Sequence, residues 1–379
     1  MTVSIFSSPK LGFGLMRLPL LDPDDAGSID IEQMKKMVDL FIENGFTYFD
    51  TAWMYCAFKS EDAVKPALTS RHKRDTFTLA TKLHGGFIKT PEDCDRIFNT
   101  QLEKTGAGYF DYYLLHDIGV DHYRKYTELG CFDWIVKKKE QGLVKHIGFS
   151  FHDSPELLDK VLTEHPEMEF VQLQINYIDW DSEGVQSRKC YETAVKHGKP
   201  VIVMEPVKGG TLANIPDEAA DLFRSYSKDM SIPSWAIRFA ASLPGVAMVL
   251  SGMSNIAQLE DNMSYMKSFV PLCDDEYELI RKAVSVINSN IAIPCTSCSY
   301  CTEGCPMNIA IPKYFALYNN VVREPASKGW LVESEYYDRL TEVFGAAGDC
   351  VECGQCEEVC PQHLDIIENL KLVKERFGR

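Results

Sequence analysis

Thirteen cysteines stand in this 379-residue chain, and eight of them fall in two runs near its C-terminus. Cys295, Cys298, Cys301 and Cys305 form C-x-x-C-x-x-C-x-x-x-C before Pro306, and Cys350, Cys353, Cys356 and Cys360 repeat that pattern before Pro361. Three thiolates spaced three apart on one tight loop suit three irons of a single [4Fe–4S] cubane, while the fourth cysteine of such a run ligates the other cluster. The spacing therefore predicts two clusters. One is held by Cys295, Cys298, Cys301 and Cys360, the other by Cys350, Cys353, Cys356 and Cys305. Each fourth cysteine is expected to open a helix after the proline-marked turn and point away from its own run. Zinc sites use four ligands in two pairs, without a third C-x-x-C repeat. Disulfides would be unusual for thiols kept reduced in the cytosol. Cys56, Cys94, Cys131, Cys190 and Cys273 are scattered and read as small apolar residues, with Cys56 placed beside Tyr55 at an active-site mouth.

A second set of reactive residues recurs at the ends of short apolar segments. Candidate strands are Leu11–Met16, Tyr48–Thr51, Phe77–Lys82, Tyr112–His116, His146–Ser150, Phe170–Gln174, Pro200–Glu205 and Val246–Leu250. Helical stretches alternate with them: Gln33–Glu43, Ser60–Ser70, Pro91–Thr105, Cys131–Gln141, Ser154–Leu162, Gly184–His197 and Ile256–Lys267. In the first, Met34, Met37, Val38, Phe41 and Ile42 share one face at the helical period, and Gly45 suits a left-handed helix end. Eight strands alternating with helical stretches, over about 250 residues, predict a (β/α)8 barrel. A doubly wound sheet would want G-x-G-x-x-G after its first strand. Gly12-Phe13-Gly14 runs into Leu15, Met16 and Arg17 instead.

The expected architecture is thus α/β, a TIM barrel over residues 1–289 followed by a small, mainly helical iron–sulfur domain over 290–379. Between them lie a helix at Asp274–Asn288 and a linker at Ile291–Pro294, and helices are expected at Ile309–Arg323 and Glu333–Phe344. The last barrel helix runs away from the catalytic face. The Asp274–Asn288 helix climbs ~22 Å, enough to return the chain to that face and set the clusters beside the barrel mouth.

The barrel segment resembles the aldo-keto reductases over about residues 3–267. The resemblance rests on Tyr48-Phe49-Asp50-Thr51-Ala52-Trp53-Met54-Tyr55, Ala80-Thr81-Lys82, Asp111-Tyr112-Tyr113-Leu114-Leu115-His116, Gly148-Phe149-Ser150, Gln172-Leu173-Gln174 and Met204-Glu205-Pro206. It implies a catalytic tetrad of Asp50, Tyr55, Lys82 and His116. The chemistry agrees: a carbonyl reduced by hydride needs a proton donor at its oxygen, and a tyrosine near pKa 10 needs help to act at neutral pH. Lys82 would favour the phenolate, Asp50 would keep Lys82 charged, and His116 would bond the substrate oxygen.

The resemblance also implies a nicotinamide cofactor. Ser150 and Gln172 would hold its amide, and Gly14, Leu15 and Met16 would pass under the ribose. Gly252, Met253, Ser254, Gln258, Asp261 and Asn262 would carry phosphates and adenosine. NADP-preferring members place a lysine and an arginine where this chain has Gly252 and Gln258, and many stack a tyrosine where it has Met204. NADP and NAD both stay open. No flavin fingerprint is recognisable, although barrels bind flavin mononucleotide without one. The tail resembles a two-cluster ferredoxin module with a long insertion, Met307–Asp349.

A formal charge of -16 excludes nucleic acid or an anionic membrane as partner, because phosphates would be repelled. The opening MTVSIFSSPK has no basic segment leading into an apolar one, and no run nears 18 apolar residues, so a cytoplasmic protein is expected. The leading function is an NAD(P)-dependent oxidoreductase acting on a small carbonyl or alcohol, its clusters relaying electrons to or from a redox partner protein. The alternatives are an electron-transfer subunit with the barrel as scaffold, and one-electron reduction of a substrate by the clusters at the barrel mouth.

Overall fold

The computed structural model describes residues 9–289, 292–295, 297–322 and 331–378. The opening MTVSIFSS, Ile291 of the expected linker, Arg323 of one expected helix and Arg379 lie outside the described residues.

Eight parallel strands close into a barrel in chain order, with the last pairing back to the first. They are β1 Leu11–Gly14, β2 Tyr48–Asp50, β3 Thr78–His84, β4 Phe110–Ile118, β5 Val144–Phe151, β6 Phe170–Gln174, β7 Val201–Met204 and β8 Val246–Gly252. Helices cover the outside and side chains fill the inside, so these strands read as continuous apolar runs rather than alternations. β4 is buried along its whole length. Tyr48, Tyr112, Leu114, Phe170, Met248 and Leu250 fill the interior. Their bulk leaves no room at Gly148, where a Cβ would lie 2.6 Å from the Phe170 carbonyl oxygen.

The first helix, Ile31–Glu43, starts where the Asp30 carboxylate accepts the Gln33 N–H at 2.9 Å and buries Met34, Met37, Val38 and Phe41. Pro91–Thr105 begins at a Thr90–Asp93 capping box and ends at Gly106, whose φ of 62° needs no Cβ. The expected single helix over Ser60–Ser70 is instead Ser60–Val64 continuing into a π-helical turn at Lys65–Thr69. Pro66 has no N–H to give, and the ladder opens there. Among the longer described helices, Val120–Glu128, Asp217–Tyr226, Ile232–Ser242 and Ile366–Phe377 went unread in the sequence.

The C-terminal region has its own core of Ile309, Ile311, Tyr314, Phe315, Tyr337 and Leu370. Its main helices are Ile311–Val322, Val332–Thr341 and Ile366–Phe377. The Tyr337 ring stacks on Phe377 at 4.6 Å. Cys305 and Cys360 do not open helices, contrary to expectation. Each sits in a turn after a short helix, Tyr300–Glu303 or Gln355–Glu358, and the next helix begins only at Ile311 or Ile366.

The Asp274–Asn288 helix packs against Asp217–Tyr226, and Arg238 pairs with Glu276 at 2.8 Å. The inserted helices then meet loops at the C-terminal ends of the strands. Arg339 reaches Asp117 near the end of β4, and the Tyr336 ring meets His152 after β5. Asn320 bonds Asp179 after β6, and Glu333 pairs with Lys208 after β7. No described helix is long and apolar enough to cross a membrane.

Candidate active site and cysteine sites

Barrel enzymes keep their chemistry at the C-terminal ends of the strands, and four side chains converge there. Lys82 on β3 is fully buried and donates to Asp50 Oδ1 at 2.5 Å, to the Thr51 carbonyl at 2.8 Å and to Tyr55 Oη at 3.3 Å. His116 on β4 meets the Tyr55 ring edge-on, with centroids 5.9 Å apart. Among the described residues His116 Nδ1 is buried without a partner.

Burial dominates the electrostatics. It pushes the Tyr55 hydroxyl up, and Lys82 offsets this only in part. The help expected from Lys82 is outweighed by burial, and Tyr55 holds its proton. Lys82 rises despite its own burial, because Asp50 and Tyr55 both favour its charge. Burial raises Asp50, with Lys82 opposing, and the 2.5 Å contact is that of a charged pair. Burial and the neighbouring His84 and Lys82 push His116 well down, leaving a neutral imidazole.

Tyr55 is held by a strained backbone. Cys56, Ala57 and Phe58 follow with φ of 51°, 50° and 67°, each costing about 1–2 kcal/mol for a residue with a Cβ. The surroundings fix that turn: Cys56 Sγ donates to the Leu15 and Met16 carbonyls, Lys104 donates to the Phe58 carbonyl, and the Phe58 ring packs on Phe87. Cys56 thus turns toward the β1 loop. Of the other scattered cysteines, Cys94, Cys131 and Cys190 are buried as expected, while Cys273 is exposed at a helix start.

The residues expected to hold the nicotinamide fall in two groups. Ser150 and Gln172 are neighbours in register on β5 and β6, and Met204 closes β7. Gln172 Oε1 is buried without a partner among the described residues, an acceptor that fits a carboxamide N–H. The second group gathers at β1 and β8. Gly14 pairs with Gly252, Ser254 N–H donates to Gln258, and Asn262 donates to Ser251. Asp261 accepts from Ser231. Leu15 and Met253 are buried in the core, and Arg17 lies against Gly252. Met16 receives the Cys56 thiol.

The cysteines line two recesses. Cys295, Cys298, Cys301 and Cys360 face the first, and Cys305, Cys350, Cys353 and Cys356 face the second. Four thiols around apolar walls, each run lending its fourth to the other, is a donor set that fits a [4Fe–4S] cubane.

Sequence reasoning missed a buried polar cluster beside the tetrad. His84, Asp117 and His122 lie together, and Arg339, Asp121 and Glu335 join them. Burial pushes His84 down to about 4. Burial would raise Asp117, but His122, His152 and Arg339 hold it well below the carboxylate range. Burial and the charge of Asp117 push Glu335 up to about 7 even beside Arg339. The trio is a poor metal site on two counts. His84 Nδ1 already accepts the Gly86 N–H, which puts the ring proton on Nε2, and the Arg339 guanidinium sits 3.0 Å from Asp117.

Residues 10–285 match the aldo/keto reductase family, and residues 294–364 match a 4Fe-4S dicluster domain. A curated relative, an uncharacterized oxidoreductase YqkF of Bacillus subtilis, is 24% identical over 269 residues, 62% of this chain and 83% of its own. The barrel is similar to an aldo-keto reductase from Klebsiella pneumoniae solved with NADPH, with a TM-score of 0.58 and 18% identity over 73% of this chain and 90% of that one. The holo form of aldo-keto reductase AKR11C1 from Bacillus halodurans gives 0.57 and 23% over 72% and 91%.

Proposed function

We propose that this chain, which belongs to the aldo/keto reductase family, is an NAD(P)-dependent oxidoreductase of small carbonyl or alcohol substrates whose two clusters relay electrons to or from a partner protein. The observation that carries the reading is the convergence of Asp50, Tyr55, Lys82 and His116 at the C-terminal ends of the strands. When bound, the nicotinamide supplies two electrons as hydride and each cluster passes one.

The chain's own residues supply the proton. Tyr55 keeps its hydroxyl hydrogen at neutral pH and gives it to the substrate oxygen. The Lys82 ammonium at 3.3 Å stabilises the charge left on the phenol oxygen. Neutral His116 bonds the same substrate oxygen, and Asp50 keeps Lys82 aimed at Tyr55. Ser150 and Gln172 would orient the nicotinamide. Cys295, Cys298, Cys301 and Cys360 would hold one cluster, and Cys305, Cys350, Cys353 and Cys356 the other. Both domains are read as working in the cytoplasm, over residues 1–289 and 290–379.

One observation favours a second reading, in which the clusters feed a substrate directly. Phe315 lines the first cysteine recess, and Asn320 on the same helix bonds Asp179 beside the barrel mouth. Five residues separate them, about 7.5 Å of helix. Tyr55→Phe decides. It lowers turnover about 10²–10⁴-fold under the leading reading. It slows only the protonation step if the clusters feed the substrate, and it leaves electron transfer untouched if the barrel is a scaffold.

A further inference from the structure

Arg339 belongs to the helix Val332–Thr341 in the insertion between the cysteine runs, yet its guanidinium is buried against the end of β4. It pairs with Asp117 Oδ2 at 3.0 Å, with Glu335 at 2.6 Å and with Asp121. Asp117 sits at a junction. It follows His116 directly in the chain, and its backbone N–H donates to Ser150 Oγ at 2.8 Å. Its φ of 57° is left-handed, a conformation aspartate adopts more readily than most residues but which still needs holding. Gly119 clears the way for the incoming side chain, since a Cβ there would lie 2.7 Å from Arg339 Cδ.

We propose that Arg339 is a positioning residue through which the iron–sulfur domain sets the barrel's active site, by clamping Asp117 and thereby both His116 and Ser150. The inference rests on the reading of His116 and Ser150 as tetrad and nicotinamide residues, but the clamp itself is a claim about geometry. With the carboxylate drawn to Arg339, the chain after His116 is fixed in its left-handed turn. The Asp117 amide is then presented to Ser150, and the imidazole to Tyr55. Without the guanidinium, Asp117 keeps only His122, 3.4 Å from its Oδ2, against the nearby Glu335 and Asp121, and the turn relaxes. The barrel would then keep its fold and its buried Lys82–Asp50 pair while losing the register between its proton-donating and nicotinamide-holding sides. One helix of the redox domain is thus part of the reductase site.

The test uses the full chain, prepared anaerobically, as wild type and as Arg339→Ala, Arg339→Lys and Gly119→Ala. Hydrogen exchange is followed in peptides covering residues 116–120 and 148–152 and, as a reference, β8. NADH and NADPH binding is followed by tryptophan fluorescence, with iron and sulfide counted on each sample. Arg339→Ala and Gly119→Ala should speed exchange at 116–120 tenfold or more and weaken nucleotide binding at least tenfold, with β8 and the iron count unchanged. Millimolar guanidinium should restore Arg339→Ala but not Gly119→Ala, and Arg339→Lys should fall between. Unchanged exchange at 116–120 overturns the clamp, as does a rise spread equally over β8, which marks a merely structural role. If wild type binds neither nucleotide, the reading of function fails while the exchange data still decide the clamp.

Discussion

The two reactive regions are built on opposite principles. In the barrel the buried cation is met by the protein itself: Lys82 is held by Asp50, the Thr51 carbonyl and Tyr55 with no ligand between them. In the tail, the cysteines surround recesses, and Cys298 and Cys353 stand exposed. The first site is preorganised by its own charges. The second depends on what it binds, because thiols packed around open space contribute little until a metal draws them together.

Removing the iron should break that comparison most visibly. Structural metal sites supply on the order of 10 kcal/mol of folding energy, so chelation should melt helix in residues 292–378 while the barrel stays folded, as circular dichroism and limited proteolysis would report. Within the tail, Cys305→Ala should remove about four irons. Adding it to a variant lacking Cys350, Cys353 and Cys356 should remove no more, whereas adding it to one lacking Cys295, Cys298 and Cys301 should remove the rest. The opposite pattern would show that each run fills its own cluster.

Breaking buried pairs sharpens the contrast between regions. Lys82→Met leaves Asp50 buried and charged, and Lys208→Met does the same to Asp179 and Glu333. Each should cost about 3–5 kcal/mol by denaturant unfolding. The first should loosen the barrel. The second should loosen chiefly the inserted helices, seen as faster hydrogen exchange at residues 311–322 and 332–341 with β1 to β8 unchanged.

The smallest effect comes from acid. Burial holds His84 down to about 4, against 6.5 in the unfolded chain. The unfolded state therefore takes up a proton that the fold refuses, and stability falls as pH drops from 6.5 toward 4. The loss at pH 5 is about 2 kcal/mol. His84→Gln should flatten that part of the stability profile; an unchanged slope would assign it elsewhere.

Much of this was legible in the chain. The strands were placed within a few residues, because a barrel strand buried on both faces is a short apolar run whatever surrounds it. The two cysteine runs were legible from spacing, which keeps three thiols of each group local while the fourth comes from the other run. Of the unread longer helices, Asp217–Tyr226 and Ile366–Phe377 do carry an apolar face, whereas the other two are less plainly marked. Ile232–Ser242 is buried on nearly every side and so shows no amphipathic stripe, while Val120–Glu128 is mostly polar between two glycines. The left-handed turn after Tyr55 carries no glycine or asparagine to announce it. Arg339 and Asp117 are 222 residues apart, and no local pattern links two charged residues at that distance. Lys82 was legible as a group that eases the Tyr55 proton off, whereas the depth of burial that outweighs it exists only in the folded barrel.

The central claim is that a hydride-transfer site and two one-electron centres share one molecule. The most direct measurement is on anaerobically purified protein: iron and acid-labile sulfide per chain, with NADH and NADPH titrated into the same sample. About eight irons and eight sulfides and saturable binding of at least one nucleotide are expected. Zinc in place of iron, or indifference to both nucleotides, would contradict that claim.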